Sequence, residues 1–148
     1  MTILITGGAG YIGSHIAEEL VNKKKKVIIL DNLKTGHKKL INKKAVFIKG
    51  DINNNNLFKD IIKTYNIETI IHLAAYLNIS EAEINHLKYF NNNVKGTQNI
   101  LLNCKNSNVR NIIFSSSCSV YGNVNGSVNE NKKLNPKGYY AWTKFKGE

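Results

Sequence analysis

The segment Gly7-Gly8-Ala9-Gly10-Tyr11-Ile12-Gly13 constrains the fold more than any other part of this 148-residue chain. It stands between a short apolar run, Ile3–Thr6, and an amphipathic stretch that reaches about Asn22 with Ile12, Ile16 and Leu20 on one face. A strand that must turn at once into a helix needs residues without a Cβ. Glycines let the backbone turn tightly, approach a pyrophosphate closely, and seat the helix against the sheet. The free amides of the helix N-terminus then face the phosphates.

The rest of the chain repeats the strand-helix alternation. Val27–Leu30 and Val46–Ile48 are further apolar runs, and Leu57, Ile61 and Ile62 give the next helix its apolar face. Thr69–Leu73 and Asn111–Phe114 complete a set of strands built mostly of Ile, Val and Leu. Ser80 with Glu83 fits a capping box, which predicts a long helix from there through Tyr89 to about Cys104. The segment 122–135 is polar and rich in turn residues, a loop of the length that often carries function, and the tail from Gly138 opens another helix. Strands separated by helices pair in parallel through right-handed crossovers, and nearly continuous apolar strands belong to a sheet covered on both faces. The expectation is one α/β domain spanning 1–148, a doubly wound parallel sheet of the Rossmann type.

Asp31 ends the second apolar run, where a carboxylate accepts hydrogen bonds from adenosine ribose hydroxyls and repels a 2′-phosphate. NAD rather than NADP is the expected cofactor. Gly50-Asp51-Ile52, closing the third run, is placed to meet the adenine. Further on, Tyr140 and Lys144 stand four residues apart, on one face of a helix. A nearby ammonium favours the phenolate and lowers the tyrosine's pKa, which suits a base acting near neutral pH. Of the serines that end the fifth run, Ser117 is the best candidate to complete a Ser/Tyr/Lys set.

Composition bears on the alternatives. The net charge of +11 suggests nucleic acid at first, but Lys supplies nearly all of it and Arg110 is the single arginine, although Arg is the preferred base reader. The cluster Lys23–Lys26 falls where the first helix ends, a place where the helix dipole favours cations. No nucleic-acid role is expected. Neither is a membrane role, since no apolar run approaches the roughly 20 residues of a bilayer span, and no signal peptide is evident. Cys104 and Cys118 lack C-x-x-C spacing and read as reduced thiols, which points to the cytoplasm. His15, His37, His72 and His86 show no metal-ligand spacing.

Taken in order, TGGAGYIGSH at 6–15, LDNL at 30–33, GDI at 50–52, HLAA at 72–75, NNVKGT at 92–97, FSSSCSVYG at 114–122 and YAWTK at 140–144 run along the whole chain. In this the chain resembles the extended short-chain dehydrogenase/reductases, and within them the UDP-glucose 4-epimerase family. The resemblance implies that Gly7, Gly10, Tyr11, Ile12 and Gly13 surround the pyrophosphate of NAD, with Asp31 and Asn32 at the ribose. It also implies Asp51 and Ile52 near the adenine, Leu73 and Ala74 beside the cofactor, and Asn93 towards the nicotinamide.

By the same resemblance Tyr140 takes the proton from the sugar's 4-hydroxyl as hydride passes from C4 to NAD. The ketosugar turns over and receives the hydride on its other face. Lys144 keeps the tyrosine ionised and binds the nicotinamide ribose, and Ser117 steadies the reacting oxygen. The implied substrate is a nucleotide-sugar, a UDP-hexose, and the implied assembly a homodimer at full length.

Leu77 stands where the epimerases usually carry a lysine. Nucleotide-sugar dehydratases of the superfamily carry Thr-Asp-Glu where this chain has Ser117-Cys118-Ser119, which disfavours dehydration. Decarboxylases and ketosugar reductases of the superfamily stay open, as does a non-catalytic NAD-binding module, although retention of Ser117, Tyr140 and Lys144 argues against the latter. Members of the family are much longer than this chain. The last strands and the substrate domain are therefore expected to be missing, and the chain alone to be inactive.

Overall fold

In the computed structural model, which describes all of Met1–Glu148, each strand is followed by helical structure. β1 (Thr2–Thr6), β2 (Lys26–Asp31), β3 (Val46–Lys49), β4 (Thr69–His72) and β5 (Asn111–Phe114) form one sheet in the order β3-β2-β1-β4-β5. Every neighbouring pair is parallel. The order reverses between β1 and β4, so the crossovers wind outward in both directions from the centre, which is the doubly wound Rossmann-like arrangement.

The period-two alternation of a strand decides which residue meets which helix. Ile3 and Ile5 of β1 join Val27, Ile29 and Ile71 on one face, where α1 (Tyr11–Asn22) contributes Ala17, Ile16 and Leu20. Leu4 turns to the other face with Ile28, Leu30 and Ile70. There it meets Phe58, Ile61 and Ile62 of α2 (Asn55–Tyr65) and Ile100 of α5 (Gly96–Cys104). Each such buried aliphatic side chain is worth about 1.5–3 kcal/mol. Together the two layers fix the sheet that carries the site. Ile12, grouped by periodicity with Ile16 and Leu20, is instead 58% exposed at the start of α1. It precedes the part of the helix that overlies the sheet.

The long helix expected from Ser80 is broken into pieces. Asn78, not Ser80, is the N-cap of α3 (Ile79–Ile84), its side chain accepting from Glu81 N at 2.9 Å. Asn85 leaves the helical region at φ −112°, ψ 56°, and α4 (His86–Tyr89) starts afresh. A π-helical turn over Phe90–Lys95 then leads into α5. Such turns insert a residue into the helical ladder and often mark functional positions. Gly138 (φ 83°) then opens α6 (Tyr139–Phe145), which packs beside α3 and the π-turn. No helix is long and apolar enough to cross a membrane.

Candidate functional site

At the carboxyl ends of β1 and β4 the sheet opens into a cleft of about 310 Å³. This is the switch point, where open α/β sheets bind ligands. The glycine turn forms one wall, and its glycines are required by contact. A Cβ on Gly7 (φ 73°) would lie 2.8 Å from Ala74 N, and one on Gly13 would lie 2.4 Å from Gly7 O. Gly10, the N-cap of α1, offers no side-chain cap, and the first turn carries no acid. The amides at this helix end are thus left facing the cleft, a site suited to an anion. Tyr11 and Ile12 flank it, both largely exposed.

Asp31 lines the cleft and is nearly buried. Its Oδ2 accepts from Ala9 N at 3.0 Å, and its Oδ1 accepts from Leu33 N at 2.8 Å. The carboxylate thus holds the glycine turn and the left-handed Leu33 (φ 60°) in place, while keeping acceptor capacity for a ligand hydroxyl. Asn32 and Ile52 border the cleft, as do Leu73 and Ala74 opposite. Asp51 does not. It lies behind Asn32, whose Nδ2 donates to Asp51 Oδ2 at 2.9 Å. Burial pushes the Asp51 carboxyl up, but hydrogen bonds from Asn53 and Asn32 and the charge of Lys34 outweigh it and hold the group below its ordinary value.

The far end of the cleft is made by Ser115, Ser116, Tyr140 and Lys144. One cavity therefore joins the glycine turn to the Tyr/Lys pair, although more than a hundred residues separate them. Ser117 is not on the cavity wall; its Oγ accepts from Ser119 N at 3.2 Å and from Ser119 Oγ at 2.8 Å, and its hydroxyl acts to lower the Tyr140 pKa. Burial acts more strongly and leaves the Tyr140 pKa above its ordinary 10.0. This departs from the expectation that Lys144 would lower it. Lys144 is itself buried, which drops its ammonium to about 8, and its Nζ lies over the Phe114 ring at 4.7 Å from the centroid. Desolvation dominates both shifts, against the opposing pull of Ser117 on Tyr140 and of Glu148 on Lys144.

Asn93 also stands behind the wall. Its Oδ1 accepts from Tyr76 N at 2.9 Å, and its Nδ2 donates to Tyr76 O at 3.1 Å and to Thr143 Oγ1 at 3.2 Å. It pins the strand-end segment that lines the cleft and ties it to α6. Asn93, expected towards the nicotinamide, thus shapes the wall from behind rather than lining it.

Several contributors escaped the sequence reading. Tyr76 and Asn92 line the cleft. Glu83, expected to close a capping box on its own helix, instead accepts from Tyr139 N at 2.5 Å and caps α6. Nothing local signals that contact, since 56 residues separate the partners.

The sheet order and the cleft at its switch point define the class: a Rossmann-like α/β protein that presents a glycine cradle and a Tyr/Lys pair to the same cavity. The model of the NAD dependent epimerase/dehydratase family matches residues 3–148, and the chain belongs to that family. It is 40% identical over 146 residues to a UDP-glucose 4-epimerase of Lactobacillus helveticus, covering 98% of this chain and 44% of the relative. With a putative UDP-glucose 4-epimerase of Methanocaldococcus jannaschii it shares 43% over 148 residues, covering 99% and 48%. Among solved structures it superposes on a Brucella ovis UDP-glucose 4-epimerase in complex with NAD. The TM-score there is 0.94 at 35% identity, covering 99% of this chain and 45% of that one. A Thermotoga maritima UDP-glucose 4-epimerase with UDP-glucose gives 0.95 at 30%, covering 99% and 48%. The chain thus spans about half the length of the curated relatives it matches.

Proposed function

We propose that this chain binds NAD in the cleft and supplies the proton-transfer groups of a nucleotide-sugar epimerase that interconverts UDP-glucose and UDP-galactose. The observation that carries the reading is the shared cavity, bordered at one end by the glycine turn and at the other by Tyr140 and Lys144. The cradle fits a dinucleotide. Added Cβ atoms at Gly7 and Gly13 would collide with backbone, and the amides of α1 meet no side-chain acceptor. Asp31 presents a carboxylate where a ribose would sit, which favours NAD over a 2′-phosphorylated cofactor.

When bound, NAD supplies the hydride acceptor and donor of the family's chemistry. The chain's own residues handle the proton. Tyr140 takes it from the sugar's 4-hydroxyl, the Ser117 hydroxyl favours the phenolate, and Lys144 donates to the cofactor's ribose. Burial raises the Tyr140 pKa, so a positive charge near the phenol would favour the phenolate, and oxidised NAD would supply one when bound.

The test joins residues 1–148 to the C-terminal half of the Lactobacillus helveticus relative and assays UDP-galactose and UDP-N-acetylglucosamine in parallel. Interconversion of UDP-galactose and UDP-glucose is expected, with Tyr140→Phe lowering turnover by about 100-fold or more while NAD stays bound. Turnover by Tyr140→Phe within a few-fold of the unaltered protein would overturn the assignment.

A further inference from the structure

Beneath the floor of the cleft, outside the cavity itself, lies a buried line of polar groups that the proposed chemistry does not use. His72, the last residue of β4, is almost wholly enclosed. Its Nδ1 meets Thr6 Oγ1 at 2.7 Å and its Nε2 meets Thr97 Oγ1 at 3.0 Å. Thr6 ends β1 immediately before the glycine turn, and Thr97 lies in the first turn of α5, just after the π-turn.

Counting protons fixes the direction of every bond. A threonine hydroxyl has one hydrogen to give. Thr97 gives its own to Asn93 O at 2.7 Å, so towards His72 it can only accept, and Nε2 must carry the ring proton. Nδ1 is then a bare acceptor, and Thr6 donates to it. Thr6 Oγ1 in turn receives Ala74 N–H at 3.5 Å. A second run starts from the Asn93 side chain, its Nδ2 donating to Thr143 Oγ1 and Thr143 donating to the backbone carbonyl of Tyr140 at 2.7 Å. No buried side-chain nitrogen or oxygen is left without a partner. Burial and the facing Lys144 ammonium both hold His72 neutral, with a pKa near 3.

Both ends of this line touch the proposed site. Ala74 is the residue against which Gly7 packs so closely that no Cβ fits, and Tyr140, held here by its backbone carbonyl, carries the proposed base. We propose that His72 is a positioning residue: in its neutral, Nε2-protonated form it links the dinucleotide cradle at Thr6 and Ala74 to the Tyr140–Lys144 helix through two buried runs of hydrogen bonds that meet at Asn93, one reaching its carbonyl by way of Thr97 and the other leaving its side chain for Thr143. Each run has a single satisfied arrangement in a buried setting, and Asn93 joins them, so together they hold the two halves of the cleft at one spacing. The inference rests on the proposed NAD site but is separable from it by experiment.

Thr97→Val keeps the side-chain shape and removes the hydroxyl, whereas Thr97→Ser keeps the hydroxyl. Imidazole ¹⁵N spectra of the unaltered chain are expected to show His72 as the Nε2–H tautomer from pH 5 to pH 8. Thr97→Val is expected to weaken NAD binding roughly tenfold, the size of losing one buried hydrogen bond, and to shift the Tyr140 titration read from ¹³Cζ-labelled tyrosine. Thr97→Ser should restore both. Where Thr97→Val fails to fold, Thr143→Val, at the other end of the line, takes its place with the same expected shift. An Nδ1–H tautomer overturns the proposal, and so does a Thr97→Val or Thr143→Val chain with unchanged NAD affinity and Tyr140 titration. If the unaltered chain binds no NAD, the proposed function fails instead, and the tautomer and Tyr140 titration still decide this inference.

Discussion

Lys144 keeps its ammonium where water hardly reaches, and burial lowers its pKa to about 8. Below that value it is a charged donor, and above it a neutral amine that binds a ribose hydroxyl less strongly. NAD affinity is therefore expected to fall as pH rises through 8, and calorimetric titrations at pH 7 and pH 9 should show it. Lys144→Met should bind NAD weakly at both values. His72 imposes an opposite limit. Its folded pKa of about 3 lies below the ordinary 6.5, so below 6.5 the unfolded chain takes up a proton that the folded chain refuses. This contribution is fully present above pH 6.5 and is lost as pH falls towards 3, by up to about 1.4 kcal/mol for each pH unit. Urea denaturation at pH 7.5 and pH 5.5 is expected to show that slope in the unaltered chain and a shallower one in His72→Asn. At this scale much was legible beforehand, because Gly7, Gly13, Asp31, Tyr140 and Lys144 each belong to a spacing with a physical reason. The environments of Tyr140 and Lys144 were not. Burial decides both pKa values, and it depends on Phe114, Ser117 and other groups brought in by the fold.

At the level of elements, the strands were readable because apolar runs bounded by turns have few other uses. The helices between β4 and β5 were not. The sequence from Ser80 to Cys104 reads as one long helix, yet Asn85 and the π-turn divide it, and Asn78 rather than Ser80 caps its first piece. That division sets the Asn93 side chain against both Tyr76 and Thr143. Glu83 shows the same limit, since a capping-box pattern carries no record that a distant helix end will claim the carboxylate. Loss of this cap in Glu83→Ala is expected to cost α6 about 1 kcal/mol of local stability, seen as roughly fivefold faster hydrogen exchange of its first-turn amides. Unchanged exchange there would show that packing alone holds α6. The outer edge of the sheet is also exposed. β5 pairs only with β4, and Ile112 and Ile113 are 37% and 56% accessible. Ile113→Lys is expected to slow aggregation of the isolated chain in light scattering, because a charge on an edge strand disfavours edge-to-edge pairing.

Across the whole molecule, the sheet brings together two groups of residues that the chain keeps far apart. The glycine cradle follows β1, the lining segment follows β4, and Tyr140 and Lys144 come from α6 past β5. The order β3-β2-β1-β4-β5 sets all of them around one opening, and membership of the NAD-dependent epimerase/dehydratase family accords with that arrangement. Everything proposed for the proton-transfer end presupposes a dinucleotide at the other end. The most direct measurement is calorimetric titration of the 148-residue chain with NAD and with NADP at pH 7. The account expects saturable binding of NAD at one site, weaker binding of NADP, and a narrowed difference in Asp31→Ala as the carboxylate facing the ribose is lost. Absence of NAD binding, or tighter binding of NADP to the unaltered chain, would contradict it.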